Sequence, residues 1–249
     1  MRIHAWIVGL ILWGGSMTTS LNAQSFLQNQ DPKVYTKAFA IGIMSTNRGY
    51  GVDVAYQTGL GPRQLYIGFN ARMVRSLYEA KIDPFFVNDL KYVFGKLNHF
   101  FIFRPEIGFA YQFIPKTSFS LLDVQIGGAI GPSVGITTPY YVQICDLTIS
   151  NQICDPVAFD PSRHTFQTIG GRATFFSNDL DPTPYLGLGA RIFANVDFGG
   201  SDGLISGLKF DVSADAFTQS IPIMVESENL TNPQVFLSFS AGFILGGKW

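Results

Sequence analysis

Charge is scarce in this sequence. Lys, Arg, Asp and Glu make up 14% of its 249 residues, against roughly 25% in an ordinary soluble domain. The net charge is −1, so the chain lacks the basic excess that a nucleic-acid partner would require, and none is expected. Cysteine is limited to Cys145 and Cys154. Two cysteines fall short of the usual four-ligand structural metal site, and neither metal nor cofactor is expected. Beyond Gln24 there is no apolar run of about 18 residues, which excludes a transmembrane helix from that part of the chain.

Gly (26) and Phe (23) are abundant instead, and mean hydropathy is +0.20. Part of this comes from the front end. Arg2 and His4 precede the apolar run Ala5 to Trp13, and a polar stretch then leads into LNAQ. A charged start, a short apolar core and a small residue at a cut site read as a secretory signal of residues 1–23, cleaved after Ala23. The alternative is an uncleaved anchor, but the run is shorter than the roughly 20 residues a bilayer span needs. Residues 24–35 follow as a short periplasmic segment.

The rest of the chain alternates with period two, the mark of strands. In FIFRPEIGFAYQF (101–113) the odd positions carry Phe101, Phe103, Pro105, Ile107, Phe109, Tyr111 and Phe113. The even ones carry Ile102, Arg104, Glu106, Gly108, Ala110 and Gln112. The same pattern predicts eight strands, near 36–45, 49–58, 63–75, 97–113, 119–136, 184–198, 204–217 and 234–249. Each has room for the roughly 9–11 residues of a tilted membrane-spanning strand.

Alternation also fits a secreted β-sandwich. Two features favour a barrel. The polar face is Gly, Ala and Ser with sparse charges, which suits the filled interior of an eight-stranded barrel better than a solvated surface. The connections also alternate: TGLGP, IPKTS and GGSDG are short, whereas 76–96, 137–183 and 218–233 are long. Short periplasmic turns and long outer loops are the arrangement of transmembrane barrels. The first connection, STNRG, is short although it falls on the long-loop side. Ten strands stay open if 76–96 or 165–178 form a further hairpin. Pro105 and Pro132 fall inside two predicted strands, where a ladder donor is lost. They imply bulges, pairing beyond the membrane near the outer rim, or shorter strands. The expected fold is thus an all-β, antiparallel up-and-down barrel, residues 36–249, with both ends of the barrel strands on the periplasmic side.

These segments, the LNAQ signal ending and the final strand VFLSFSAGFILGGKW resemble small outer-membrane β-barrel proteins of the OmpA/OmpX-like and PorT-like kind. The stretch YVFGKLNHFFIFRPEIGF (92–109) is similar to a segment of uncharacterised barrels of that type. The resemblance covers almost the whole chain after the signal. It implies the fold, an outer-membrane address with membrane lipid around it, and a terminal aromatic strand (Phe239, Phe243, Trp249) read by the barrel-assembly machinery. It implies no activity and no catalytic residue.

The inner-face charges predicted from parity are Asp53, Arg72, Arg104, Glu106, Asp123, Arg191, Lys209, Asp211 and Asp215. An unpaired buried charge costs several kcal/mol, so pairing into a structural plug is expected rather than an ion path. Cys145 and Cys154 share the longest outer loop, and an exported chain oxidises such a pair, so a disulfide is expected. That loop, with TTPYY (137–141) and FDPSRHTF (159–166), reads as an ordered cap with a helical turn near 161–168, serving as a lid or a binding surface. A barrel enzyme acting on lipid A acyl chains would need a Ser, His and acidic group in register. His99, and His164 near Ser162 and Asp160, are the candidates, but adjacency in a loop is poor grounds for a triad. The expected role is structural, surface-binding or accessory to an envelope or secretion complex, without enzymatic activity. A small-solute channel is the other alternative, and an open general porin is excluded by the narrow interior.

Overall fold

A computed structural model describes residues 35–84, 90–115, 122–145, 154–175, 181–199, 203–228 and 230–249. The predicted signal peptide lies outside them, as does the 24–35 segment except for Tyr35. In chain order the strands are β1 (Lys37–Thr46), β2 (Gly49–Thr58), β3 (Arg63–Val74), β4 (Lys81–Ile82), β5 (Tyr92–Val93), β6 (Asn98–Ile114), β7 (Asp123–Pro139), β8 (Tyr141–Cys145), β9 (Cys154–Ala158), β10 (Ile169–Arg172), β11 (Thr183–Asp197), β12 (Leu204–Phe217) and β13 (Val235–Lys248).

Eight of these close an antiparallel barrel in the circular order β1-β13-β12-β11-β7-β6-β3-β2. Each barrel strand pairs with its predecessor and successor among the eight, so the topology is up-and-down. Closure runs between β1 and β13, from Ala38↔Lys248 to Thr46↔Ser240. Trp249 completes it: its carbonyl accepts from the Thr36 and Lys37 amides, and its own amide donates to Lys37 O. A closed ladder leaves no unpaired strand edge. The other strands sit in the long connections, as a β10-β8-β9 sheet and a β4-β5 pair, and do not enlarge the barrel.

Period-two alternation places one face of every barrel strand inward. Along β13 the pattern is strict: Val235, Leu237, Phe239, Ala241, Phe243 and Leu245 are exposed, while Phe236, Ser238, Ser240 and Ile244 are buried. The outward face is apolar throughout the barrel wall, with Ile43, Phe109, Leu188, Ile192 and Phe243 among its most exposed side chains. Glycines on the inward face make room for bulky neighbours. A Cβ at Gly189 would collide with Asp215, Arg104 and Ser133, and one at Gly127 with the Phe193 ring.

Pro105 and Pro132 do not behave as their position in the sequence suggests. β6 and β7 run straight through them, mid-strand rather than at the rim. Their shared ladder pauses between Phe103↔Val134 and Ile107↔Ile130 and resumes in the same register, so there is no bulge at this point. Both rings are exposed on the outward face. Each strand keeps its other ladder, with Phe69↔Pro105 and Leu188↔Pro132 in register. Two opposed prolines thus lose donors on a single ladder, which is the cheapest way to carry both. The register shift in this pair lies at Gln112/Ile114, near the short-turn end.

Candidate functional site

All nine charged side chains picked out by parity point inward and are buried. Arg191 on β11 is the hub. Its Nη1 donates to Asp53 Oδ1 at 2.6 Å, and its Nη2 reaches both the Tyr66 hydroxyl at 2.5 Å and Glu106 Oε1. Lys209 holds the other Asp53 oxygen at 2.5 Å. Glu106 Oε2 accepts from Arg104 Nε at 3.1 Å, and Arg104 Nη1 donates to Asp215 at 2.7 Å. Ser133 donates to the same Asp215 oxygen at 2.6 Å. Six of the nine therefore form one connected cluster across the lumen.

The other three differ. Arg72 meets no carboxylate; it donates to Asn70 Oδ1 at 2.7 Å and Ser213 Oγ at 2.6 Å, and Asn70 in turn donates to Asp53. Asp211 has neither oxygen hydrogen-bonded, though it is buried. Asp123 belongs to a second group nearer the short turns, where Lys248 bridges it at 2.5 Å to Asp197 at 2.8 Å. Lys248 and Asp197 were both on the inward parity of their strands. Tyr66, Asn70, Ser133 and Ser213 also shared that parity, but cross-lumen partners are set by strand stagger and leave no local trace.

Two further layers surround the cluster. Toward the short turns lies a small cavity of about 30 Å³, lined by Asp53, Gln57, Gln125, Asn195, Lys209 and Lys248 among others. Toward the long loops the lumen is filled by apolar side chains, which the alternation alone did not separate from outward ones. Phe100, Phe217 and Phe236 form a ring triangle with centroids 5.0 to 5.9 Å apart. Ile221, Ile223 and Met224 of the last long loop close over them. That loop is pinned by Asn232, whose Oδ1 accepts from the Ile223 and Met224 amides and whose Nδ2 donates to Met224 O.

The cap has its own small core of Tyr92, Tyr140, Val142, Phe159 and Ile169. Cys145 and Cys154 face each other at the end of the β8–β9 ladder and are joined as a disulfide. Lys96 lies under the cap. Burial pushes its ammonium below the ordinary value, and Glu79, at 2.7 Å, opposes that shift. Residues 161–163 and 166–168 form turns, the first closed by the His164 amide donating to Asp160 O at 2.9 Å. Asp160 begins the first, its carboxylate accepting from the Ser162 hydroxyl and amide, which hold it below the usual carboxylate range. His164 Nδ1 accepts from the Asp160 amide at 3.0 Å, so the Ser162 hydroxyl is engaged with Asp160 and the imidazole faces backbone. His99 packs edge-on against Tyr140 and Phe175. Neither arrangement sets a base against a nucleophile. Among the described residues no three His, Cys, Asp or Glu side chains gather as a metal site.

Phe239, Phe243 and Trp249 are 52%, 69% and 57% exposed on the outward side of the last strand. The Trp249 ring lies tilted beside Tyr56, with centroids 6.5 Å apart.

The chain matches no protein-family model and no curated protein. Among solved structures it is similar to Neisserial surface protein A, with 10% identity and a TM-score of 0.42, over 87% of this chain and 97% of that one. It is also similar to Ail, the attachment invasion locus protein of Yersinia pestis, solved with the heparin analogue sucrose octasulfate. There the identity is 7% and the TM-score 0.41, over 86% of this chain and 99% of that one.

Proposed function

We propose that this chain is a bacterial outer-membrane barrel that is closed to solutes and presents its disulfide-tied cap at the cell surface. One observation carries the reading. The polarity of the barrel is inverted: Leu188 and Ile192 are 72% and 68% exposed on the outside, while Arg104 and Asp215 are fully buried within. Such a wall is stable only where apolar side chains meet lipid. With its ionic cluster and apolar layer in series, the lumen serves as a structural strut rather than a path. The short turns and both barrel termini face the periplasm, and Phe239, Phe243 and Trp249 form the strand that the assembly machinery reads.

The role is then set by the cap, as a surface-binding or envelope-complex accessory protein. Fractionation of cells with an epitope-tagged chain, followed by affinity purification in mild detergent, tests this. Recovery in the outer-membrane fraction with heat-modifiable gel migration supports the barrel reading, and recovery of co-purifying envelope proteins supports the accessory role. Recovery in the soluble fraction would overturn the address.

A further inference from the structure

At the long-loop rim the β1–β2 hairpin and the connection after β3 enclose an open pocket of about 300 Å³. Its lining includes Ser45, Thr46 and Ser76 beside Arg48, Arg75 and Lys81. Among the described residues none of these three cations makes an ion pair. The acid in the pocket, Glu79, is already taken by Lys96 at 2.7 Å. Three cations thus line one pocket whose acid is already paired elsewhere.

The two guanidiniums are oriented rather than loose. Arg48 Nε donates to Leu237 O at 3.2 Å and its guanidinium lies 5.7 Å from the Phe236 ring centre. Arg75 stacks over Tyr50 at 5.8 Å, and its amide donates to Arg48 O at 2.7 Å, which ties the two segments together. Burial lowers the pKa of Arg48, and no acidic group offsets the shift. An anion entering the pocket would relieve it. Fixed guanidiniums with free donor edges match the tetrahedral oxygens of a phosphate ester.

The surroundings select the source of that anion. Immediately below the pocket the outward face turns apolar, with Ile43 71%, Tyr50 62% and Val52 47% exposed. A ligand with a phosphorylated head and acyl chains would satisfy both surfaces at once. We propose that Arg48, Arg75 and Lys81 bind the phosphate ester of an outer-leaflet glycolipid headgroup. The choice of a lipid source rests on the outer-membrane reading above; the anion chemistry of the pocket does not.

The test uses the folded full chain in phosphatidylcholine nanodiscs, with lipid retention counted by native mass spectrometry. The probes are lipid A carrying both phosphates, the same lipid dephosphorylated, and inorganic phosphate. The phosphorylated form is retained and the dephosphorylated form is not. The double variant Arg75→Gln/Lys81→Gln loses affinity by about tenfold or more, the scale of a lost charge-assisted hydrogen bond. Arg163→Gln, an exposed cation elsewhere in the cap, leaves retention unchanged. Equal retention of both lipid forms, or by the double variant, overturns the proposal. Tight binding of inorganic phosphate without retention of the phosphorylated lipid overturns the lipid occupant and upholds the anion pocket. Failure to enter nanodiscs with a heat-modifiable gel shift would instead overturn the membrane reading, and the inorganic phosphate arm would still decide the pocket.

Discussion

Arg191 on β11 and Asp53 on β2 bond at 2.6 Å although their strands stand four places apart in either direction around the barrel. The pair therefore spans the lumen across its diameter. Arg72 on β3 reaches Ser213 on β12 across an equally wide gap. These crossings brace opposite walls, which a ladder between adjacent strands cannot do.

Asp53 neutralises two cations, Arg191 and Lys209. Asp53→Ala leaves Lys209 buried without a carboxylate partner and weakens the Arg191 hub. The expected loss is about 3–5 kcal/mol, the cost of breaking a buried pair from one side. Urea unfolding in lipid vesicles, followed by tryptophan fluorescence, measures it. The double variant Asp53→Leu/Lys209→Met removes both charges and loses less than the single one.

On the outward face, Ile192→Arg places a charge where the proposed membrane barrel would meet lipid. The expected cost is about 2–4 kcal/mol, the range for an arginine facing the middle of the bilayer. The same unfolding assay reads it. A soluble barrel would tolerate this exposed substitution with little change, so the two environments separate cleanly.

The disulfide acts locally. Cys145 and Cys154 close the β8–β9 hairpin, and in the chain-entropy model a loop of this size contributes about 2–3 kcal/mol to its order. Reduction should raise amide exchange at 141–145 and 154–158 and leave the barrel ladders protected. Thiol labelling of denatured, unreduced protein should find no free cysteine.

The lumen is predicted to be closed. Purified protein in a planar bilayer should show no steady conductance. Thinning both blocking layers with Phe217→Ala and Arg104→Ala should admit ions, provided the gel shift shows that the variant is folded.

Much of the barrel is legible in the sequence because parity is a local property. The predicted strand at 204–217 matches β12 residue for residue, and 49–58 matches β2. The inward placement of nine charged residues is legible for the same reason, and Asp197 and Lys248 share that parity. Three kinds of information are not local. Partner choice across the lumen depends on stagger, which is why Arg72 and Asp211 lack the ion pairs expected for them. Apolar side chains on both faces near the rim hide Phe100, Ile102, Phe217 and Phe236, which fill the lumen there. Prolines read alone signal a break, whereas Pro105 and Pro132 face one another across a single ladder, a pairing visible only once the strands are registered.

The central claim is that the outer wall meets lipid while the inner face is sealed. Nitroxide labels at alternate positions of β13 in vesicles test it most directly. Labels at Leu237, Phe239 and Phe243 should be accessible to oxygen and shielded from a water-soluble relaxation agent. Labels at Ser238 and Ser240 should be poorly accessible to both. Strong access of the water-soluble agent to Phe239 and Phe243 would contradict the account.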